Sequence, residues 1–328
     1  MLNKAKSNKT YRKAKSIALI LSALMLISPL TACTTENSRD TIVSVENDSG
    51  SSHKTPSKSE VSTVKSLDEI NPKLSVEKWG DNKYYVIDED SLFQIVDLAM
   101  DNVQKFYTEI GAPNMTYDKN LNIVEGKDNF YPEWQNEAFY MARAMSESSR
   151  RIDLVTTIPG NSTDNYATGI MQICPSSTKE TLEQYYKNIF KKNVDLSQLQ
   201  VVPSKTDLAN ANTSEKAMDN VVEAIYNNIF LSMCFDVYNI KNINPKSHQN
   251  YYANYGGYRE DVRKLATIGL YGTSRATVIN GLIEGKLRER LAEIKHMDTY
   301  IKNMEKYQAE YEQKYAAAIN EFDEVLQK

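Results

Sequence analysis

Apolar residues along this chain recur at helical spacing far more often than they alternate. Between Ser91 and Ile110, the residues Leu92, Ile95, Val96, Leu98, Val103 and Phe106 approximate one stripe. Asp90 or Ser91 offers the cap, and Gly111-Ala112-Pro113-Asn114 offers the stop. Tyr131 to Ser148 repeats the pattern through Trp134, Ala138, Met141, Ala142 and Met145, which predicts a helix with one face in a core. Another helix is expected from Pro175-Ser176-Ser177, with Ser177 or Thr178 near its cap. Glu215 to Asn239 carries Val221, Val222, Ile225, Ile229, Met233 and Val237 at helical positions. Tyr251 to Thr267 reads as largely helical despite Gly256-Gly257, and Leu265 to Val278 then alternates apolar and small residues. The tail from Leu287 to Gln327 spaces Leu291, Ile294, Met297, Ile301 and Met304 for one or two long helices. Strand signal is confined to Lys73–Ile87, where Tyr84-Tyr85-Val86-Ile87 predicts a short strand or an extended lead-in. The stretches 117–129, 152–168 and 245–250 read as loops, and 195–212 is polar around Pro203. The expected fold class is mainly α.

The first 33 residues read as a targeting segment and not as part of the fold. Lys4, Lys6, Lys9, Arg12, Lys13 and Lys15 precede an apolar run from Ser16 to Pro29 that is too short to span a bilayer. Leu30-Thr31-Ala32-Cys33 then has the form of a bacterial lipobox, with Cys33 as the lipid attachment point. This predicts a protein anchored by lipid on the outer face of the cell membrane. Thr34 to about Ser66 is rich in Ser, Thr, Lys, Asp and Asn, and buries too little surface to order itself. We read residues 34–70 as a disordered tether.

Charge and composition exclude some classes. A net charge of −4 over 328 residues gives no reason to expect nucleic acid as a partner. His53, His248 and His296 are scattered, so neither a metal nor a cofactor is expected. Beyond Cys33, Cys174 and Cys234 can pair outside the cytoplasm or remain two buried thiols. The 21 Tyr, against 8 Phe and 2 Trp, suit a carbohydrate-lined groove and ordinary half-buried positions alike.

The candidate chemistry centres on Glu147-Ser148, at the end of the helix expected over 131–148. Cleaving a glycosidic bond requires protonation of the leaving oxygen while positive charge builds at the sugar carbon. A helix C-terminus and an apolar neighbourhood both favour the neutral, proton-donating form of a carboxylic acid. One acid suffices if the sugar's own hydroxyl is the nucleophile, because the same group then acts as base.

Five segments occur in order: Glu147-Ser148, Gly169-Ile170-Met171-Gln172, Asn228-Ile229, Leu270-Tyr271-Gly272 and Tyr300-Ile301. In this the chain resembles the soluble lytic transglycosylases, lysozyme-like enzymes that cut the peptidoglycan glycan strand. The resemblance covers about residues 131–305 and implies a lysozyme-like helical domain, with a helical extension over 71–130 before it and a helix over 306–328 after it. It implies Glu147 as the acid that becomes the base, and 1,6-anhydro-muramyl ends as product. It also implies Ser148, Gly169, Ile170, Met171, Gln172, Tyr271 and Tyr300 as substrate-binding residues, and peptidoglycan as the partner. The chain departs from the family where an Asn becomes Gly272 and the following glycines become Ser274 and Ala276. Two rival readings remain. One is a hydrolytic muramidase that directs water with Asp153 or Asp164. The other is a wall-binding or scaffolding lipoprotein without catalysis.

Overall fold

The computed structural model describes residues 66–111, 115–117, 123–125, 131–157, 166–242, 251–257 and 259–319. Cys33, the tether up to residue 65, Asp164, His53, His248 and residues 320–328 lie outside the described residues. The described chain is mainly helical, as its hydrophobic spacing predicts, with three small hairpins attached.

β1 (Leu74–Trp79) and β2 (Asn82–Ile87) pair antiparallel from Leu74↔Ile87 to Trp79↔Asn82. Gly80 in the connecting turn takes φ 59, a conformation that costs glycine little. The stretch expected as one strand or a lead-in is thus a full hairpin. α1 (Glu89–Glu109) follows at once. Its cap is Asp88, earlier than the expected Asp90 or Ser91: Oδ1 accepts from the Ser91 N–H at 3.0 Å, and Oδ2 accepts from the Lys73 N–H at 2.7 Å. One carboxylate therefore closes the helix and ties it to the hairpin. β3 (Met115–Tyr117) pairs with β4 (Ile123–Glu125), and β4 falls within the stretch 117–129 expected as loop.

α2 (Glu137–Ser148) starts six residues later than its apolar spacing predicts. Pro132 disfavours helical backbone at Tyr131, and the Asn136 side chain accepts from the Phe139 N–H at 3.1 Å, which sets the cap there. β5 (Val155–Thr157) and β6 (Tyr166–Thr168) form a hairpin where a loop was expected. α3 (Pro175–Tyr185) begins on its proline, with Cys174 and not Ser177 or Thr178 at the cap; proline suits that position because its missing N–H has no partner to lose. α4 (Lys205–Asn210) is a short helix inside the polar stretch 195–212, and α5 (Glu215–Asn242) is the long central one.

The helix expected over 251–267 is broken. Gly256 and Gly257 take φ 75 and 120, so a single 3₁₀ turn, Ala253–Tyr255, precedes α6 (Glu260–Gly272). The alternation over 265–278 is the end of α6 followed by α7 (Arg275–Glu284), whose cap Ser274 accepts from the Thr277 N–H at 3.2 Å. α8 (Leu287–Ala292) and α9 (Met297–Lys314) complete the order, and α9 runs unbroken through residues 305 and 306.

One hydrophobic core runs from Ile70 to Ala318 and includes Ile87, Leu92, Phe139, Met171, Ile229, Leu291 and Tyr315. Residues 70–110 therefore share their core with the remainder of the described chain. α2 lies along α9, α1 packs on α2 and α5, and α6 bridges α5 and α9. This arrangement holds the end of α2 between elements far apart in sequence.

Candidate active site around Glu147

Glu147 is half-buried in the last turn of α2. The helix stops abruptly after it. Ser149 and Arg150 take φ 52 and 63, two successive left-handed residues without a glycine. Such backbone costs roughly 1–2 kcal/mol per residue. The turn is held by Ser149 N–H to the Met145 carbonyl at 3.0 Å and Arg150 N–H to the Ala144 carbonyl at 3.3 Å. The Arg150 side chain also donates to the Ile87 carbonyl at 2.9 Å and lies 3.7 Å from Glu89. Ser148 is buried and donates to the Ala144 carbonyl at 3.0 Å, so it braces its own helix.

Two tyrosines from distant helices face the acid. Tyr300, on α9, is 5% exposed; burial first, and then the nearby Glu147 charge, push its phenol up. Its hydroxyl lies beside the Glu147 carboxylate without closing a hydrogen bond of standard geometry. Tyr271, on α6, is also pushed up, first by burial, with Arg143 opposing and Glu147 reinforcing. Tyr271 donates to the Met171 carbonyl and accepts from Ser232 at 3.3 Å.

The 169–172 turn is clamped from both sides. The Met171 N–H donates to Asn228 Oδ1 at 2.9 Å, while Tyr271 holds the carbonyl of the same residue. Asn228 Nδ2 donates to the carbonyls of Thr168 at 3.0 Å and Val201 at 3.1 Å. Gly169 takes φ 73, and a Cβ there would sit 2.4 Å from Asn228 Nδ2. Gln172 folds its amide inward: Nε2 donates to Leu154 and Gly169 carbonyls at 3.1 and 2.8 Å, and Oε1 accepts from Thr156 at 2.8 Å.

Of the residues expected to bind substrate, Ser148, Ile170, Met171, Gln172, Tyr271 and Tyr300 are all buried. Tyr271 and Tyr300 lie near Glu147, and Tyr271 connects the 169–172 turn to it through the Met171 carbonyl. The physical reason for the burial is that the clamped turn spends its polar groups on the protein itself. Asp153, the candidate second carboxylate, accepts from the Tyr85 N–H at 3.0 Å and so anchors β2. Burial pushes its carboxyl up, against the Tyr85 hydrogen bond and the Arg151 charge.

Sequence reasoning missed a buried ion pair one turn below Glu147. Arg143 is fully buried, with Nη1 2.5 Å from Asp236 Oδ2 on α5. Its guanidinium also lies 4.0 Å from the Tyr271 ring centre and 4.9 Å from that of Phe139. Burial raises the Asp236 carboxyl while Arg143 opposes it, and Asp236 keeps Arg143 charged against its own burial. The signal was one charge on the buried side of each helix. Met297 was also missed as a wall residue: its Sδ lies 2.6 Å from where a Cβ at Gly272 would sit. The space beside Gly272 is thereby filled by a thioether from α9.

Cys234 is a free thiol pushed up to about 12 by burial, so Cys174 and Cys234 are not joined to each other. Among the described residues no group of three or more His, Cys, Asp or Glu is placed to hold a metal ion. Among the same residues no helix is long and apolar enough to cross a membrane. A cleft of about 450 Å³ lined by Tyr255, Arg259, Lys264, Leu265, Arg288 and Glu305 shares no residue with the Glu147 cluster. Compared with known protein families, curated proteins and solved structures, the chain finds no match.

Proposed function

We propose that this protein is a peptidoglycan lytic transglycosylase with a lysozyme-like helical domain, carried on the outer face of the membrane by a lipid at Cys33. The observation that carries the reading is the convergence on one helix end. Glu147, Tyr300 and Tyr271 come from three separate helices, and Tyr271 ties the half-buried carboxyl's surroundings to the turn clamped by Asn228.

In this reading Glu147 donates its proton to the oxygen of the MurNAc–GlcNAc β-1,4 bond as the bond from that oxygen to the muramyl C1 breaks. The 6-hydroxyl of the same sugar closes on C1, and its proton passes to the Glu147 carboxylate. The acid is restored, and the product is a 1,6-anhydro end formed without water. Arg143 and Asp236 neutralise one another beneath the site. Tyr271 and Asn228 fix the 169–172 turn.

One observation favours the non-catalytic rival. Met297 occupies the space that a side chain at position 272 would need, so this wall lacks the amide of the resembling enzymes. Digestion of purified cell walls separates the readings. Anhydro ends from the wild type, lost in Glu147→Gln, support the transglycosylase. Reducing muramic ends support the muramidase. Binding without cleavage supports the scaffold.

A further inference from the structure

Arg151 follows Glu147 by four residues, so their Cα atoms lie within about 14 Å of each other at full chain extension. It leaves the left-handed turn and bridges to Val86 on β2. The register of β1 and β2 then places Trp79, Glu77 and Tyr84 on the face that meets it. The Arg151 guanidinium stands 3.7 Å from the Trp79 ring centre and 5.2 Å from that of Tyr84. Arg151 is 7% exposed, while Trp79 keeps 45% of its surface open.

The guanidinium stacks on Trp79 and Tyr84 and still has an unfilled donor. Its Nε is buried with no hydrogen-bond partner. Glu77 and Asp153 are the carboxylates whose charge reaches it, and no ion pair with either closes among the described residues. Asp153 is already held by the Tyr85 N–H. A buried arginine fork without its own carboxylate is matched to an incoming one, which it can take through two parallel N–H donors. The open indole beside it offers a flat apolar face of the kind a sugar ring covers.

We propose that Trp79, Tyr84 and Arg151 form an outlying glycan subsite that takes a sugar bearing a free carboxylate: Trp79 covers the ring, and Arg151 pairs with the carboxylate. In peptidoglycan that group is the lactyl carboxylate of a muramyl residue whose stem peptide has been removed. The identity of the sugar rests on the transglycosylase reading; the platform itself does not. The subsite directs the enzyme to strands already stripped of peptide.

The test uses the Glu147→Gln protein, so that bound strands survive; it measures affinity by titration calorimetry and reads Trp79 emission as the difference from a Trp79→Phe version. The probes are peptide-free glycan strands, neutral chitin hexamer and free stem peptide. Peptide-free strands are expected to change Trp79 emission, and to bind at least tenfold more weakly to Arg151→Gln and to Trp79→Ala. Chitin hexamer is expected to bind at least tenfold more weakly than the strands to the unaltered platform. Arg151→Lys, which keeps the charge but loses the fork, should fall between, with far-UV circular dichroism confirming that each variant is folded. The proposal is overturned if the strands bind all folded variants equally, or if free stem peptide alone produces the signal. If the wild type leaves cell walls uncut while the strands still change Trp79 emission, the activity fails and the subsite stands. If it cuts and the variants bind equally, the reverse holds.

Discussion

Arg143 on α2 and Asp236 on α5 meet at 2.5 Å with neither side chain open to solvent. Burying two charges is costly, and the pair repays that cost only while both members are present. Replacing Asp236 by Ala alone should destabilise the fold by about 3–5 kcal/mol, because a bare guanidinium is left in the core. Arg143→Leu combined with Asp236→Leu should cost less than either single change. Urea unfolding of Asp236→Ala, of the two single Leu variants and of the double variant measures this; a double variant as unstable as the sum of the singles would show that the two residues are not coupled.

Gly169 tests the clamped turn. Its φ of 73 is strained for any side chain, and a Cβ would sit 2.4 Å from Asn228 Nδ2 and 3.0 Å from the Val201 carbonyl. Gly169→Ala should therefore cost more than about 2 kcal/mol, combining backbone strain with a displaced buried amide. Thermal melting reads the loss, and an unchanged melting temperature would mean that the turn can move away from Asn228.

Asp97 predicts a pH dependence. It is buried on α1, and its carboxyl is pushed up to about 6, first by burial and then by the charge of Asp101. The unfolded chain releases that proton near pH 3.9. Between these values the native state binds more protons than the unfolded one, so stability falls as pH rises through about 4 to 6 and then levels. The effect amounts to roughly 3 kcal/mol at most. Asp97→Asn should remove this slope and be the more stable protein at pH 7. Unfolding at pH 4, 5, 6 and 7 for both proteins checks it, and parallel curves would contradict it.

Tyr300 separates catalysis from stability. Its hydroxyl makes no standard hydrogen bond, yet it lies beside Glu147. Tyr300→Phe should lower cell-wall digestion roughly tenfold, about 1.4 kcal/mol in transition-state stabilisation. Melting should change little, by about 1 kcal/mol or less, since the buried ring is kept and only the hydroxyl beside Glu147 is removed. A loss of stability without a loss of rate would make Tyr300 a packing residue only.

Much of the helical framework was legible in advance because the apolar spacing over 91–110 and 215–239 is locally decisive. Boundaries failed where a short side chain competed for backbone groups, as Asn136 and Asp88 do at their caps. The hairpin at 155–168 and the strand at 123–125 were read as loops because strand pairing is non-local and their polar residues carry no period-two signal. At the site, Glu147, Asn228 and Tyr271 were visible as motif residues. Their roles as clamp and wall were not, since Met171 meets both Asn228 and Tyr271 only in three dimensions. Nor could spacing reveal that Arg143 and Asp236, 93 residues apart, form one pair.

The central claim is that Glu147 alone serves as acid and then base. Mass analysis of glycan ends after cell-wall digestion tests it most directly. Wild-type protein should release 1,6-anhydro-muramyl ends, and Glu147→Gln, folded to the same melting temperature, should reduce them by at least about 100-fold, the lower range for loss of a general acid–base group. Reducing ends from the wild type, or undiminished anhydro ends from Glu147→Gln, would contradict the account.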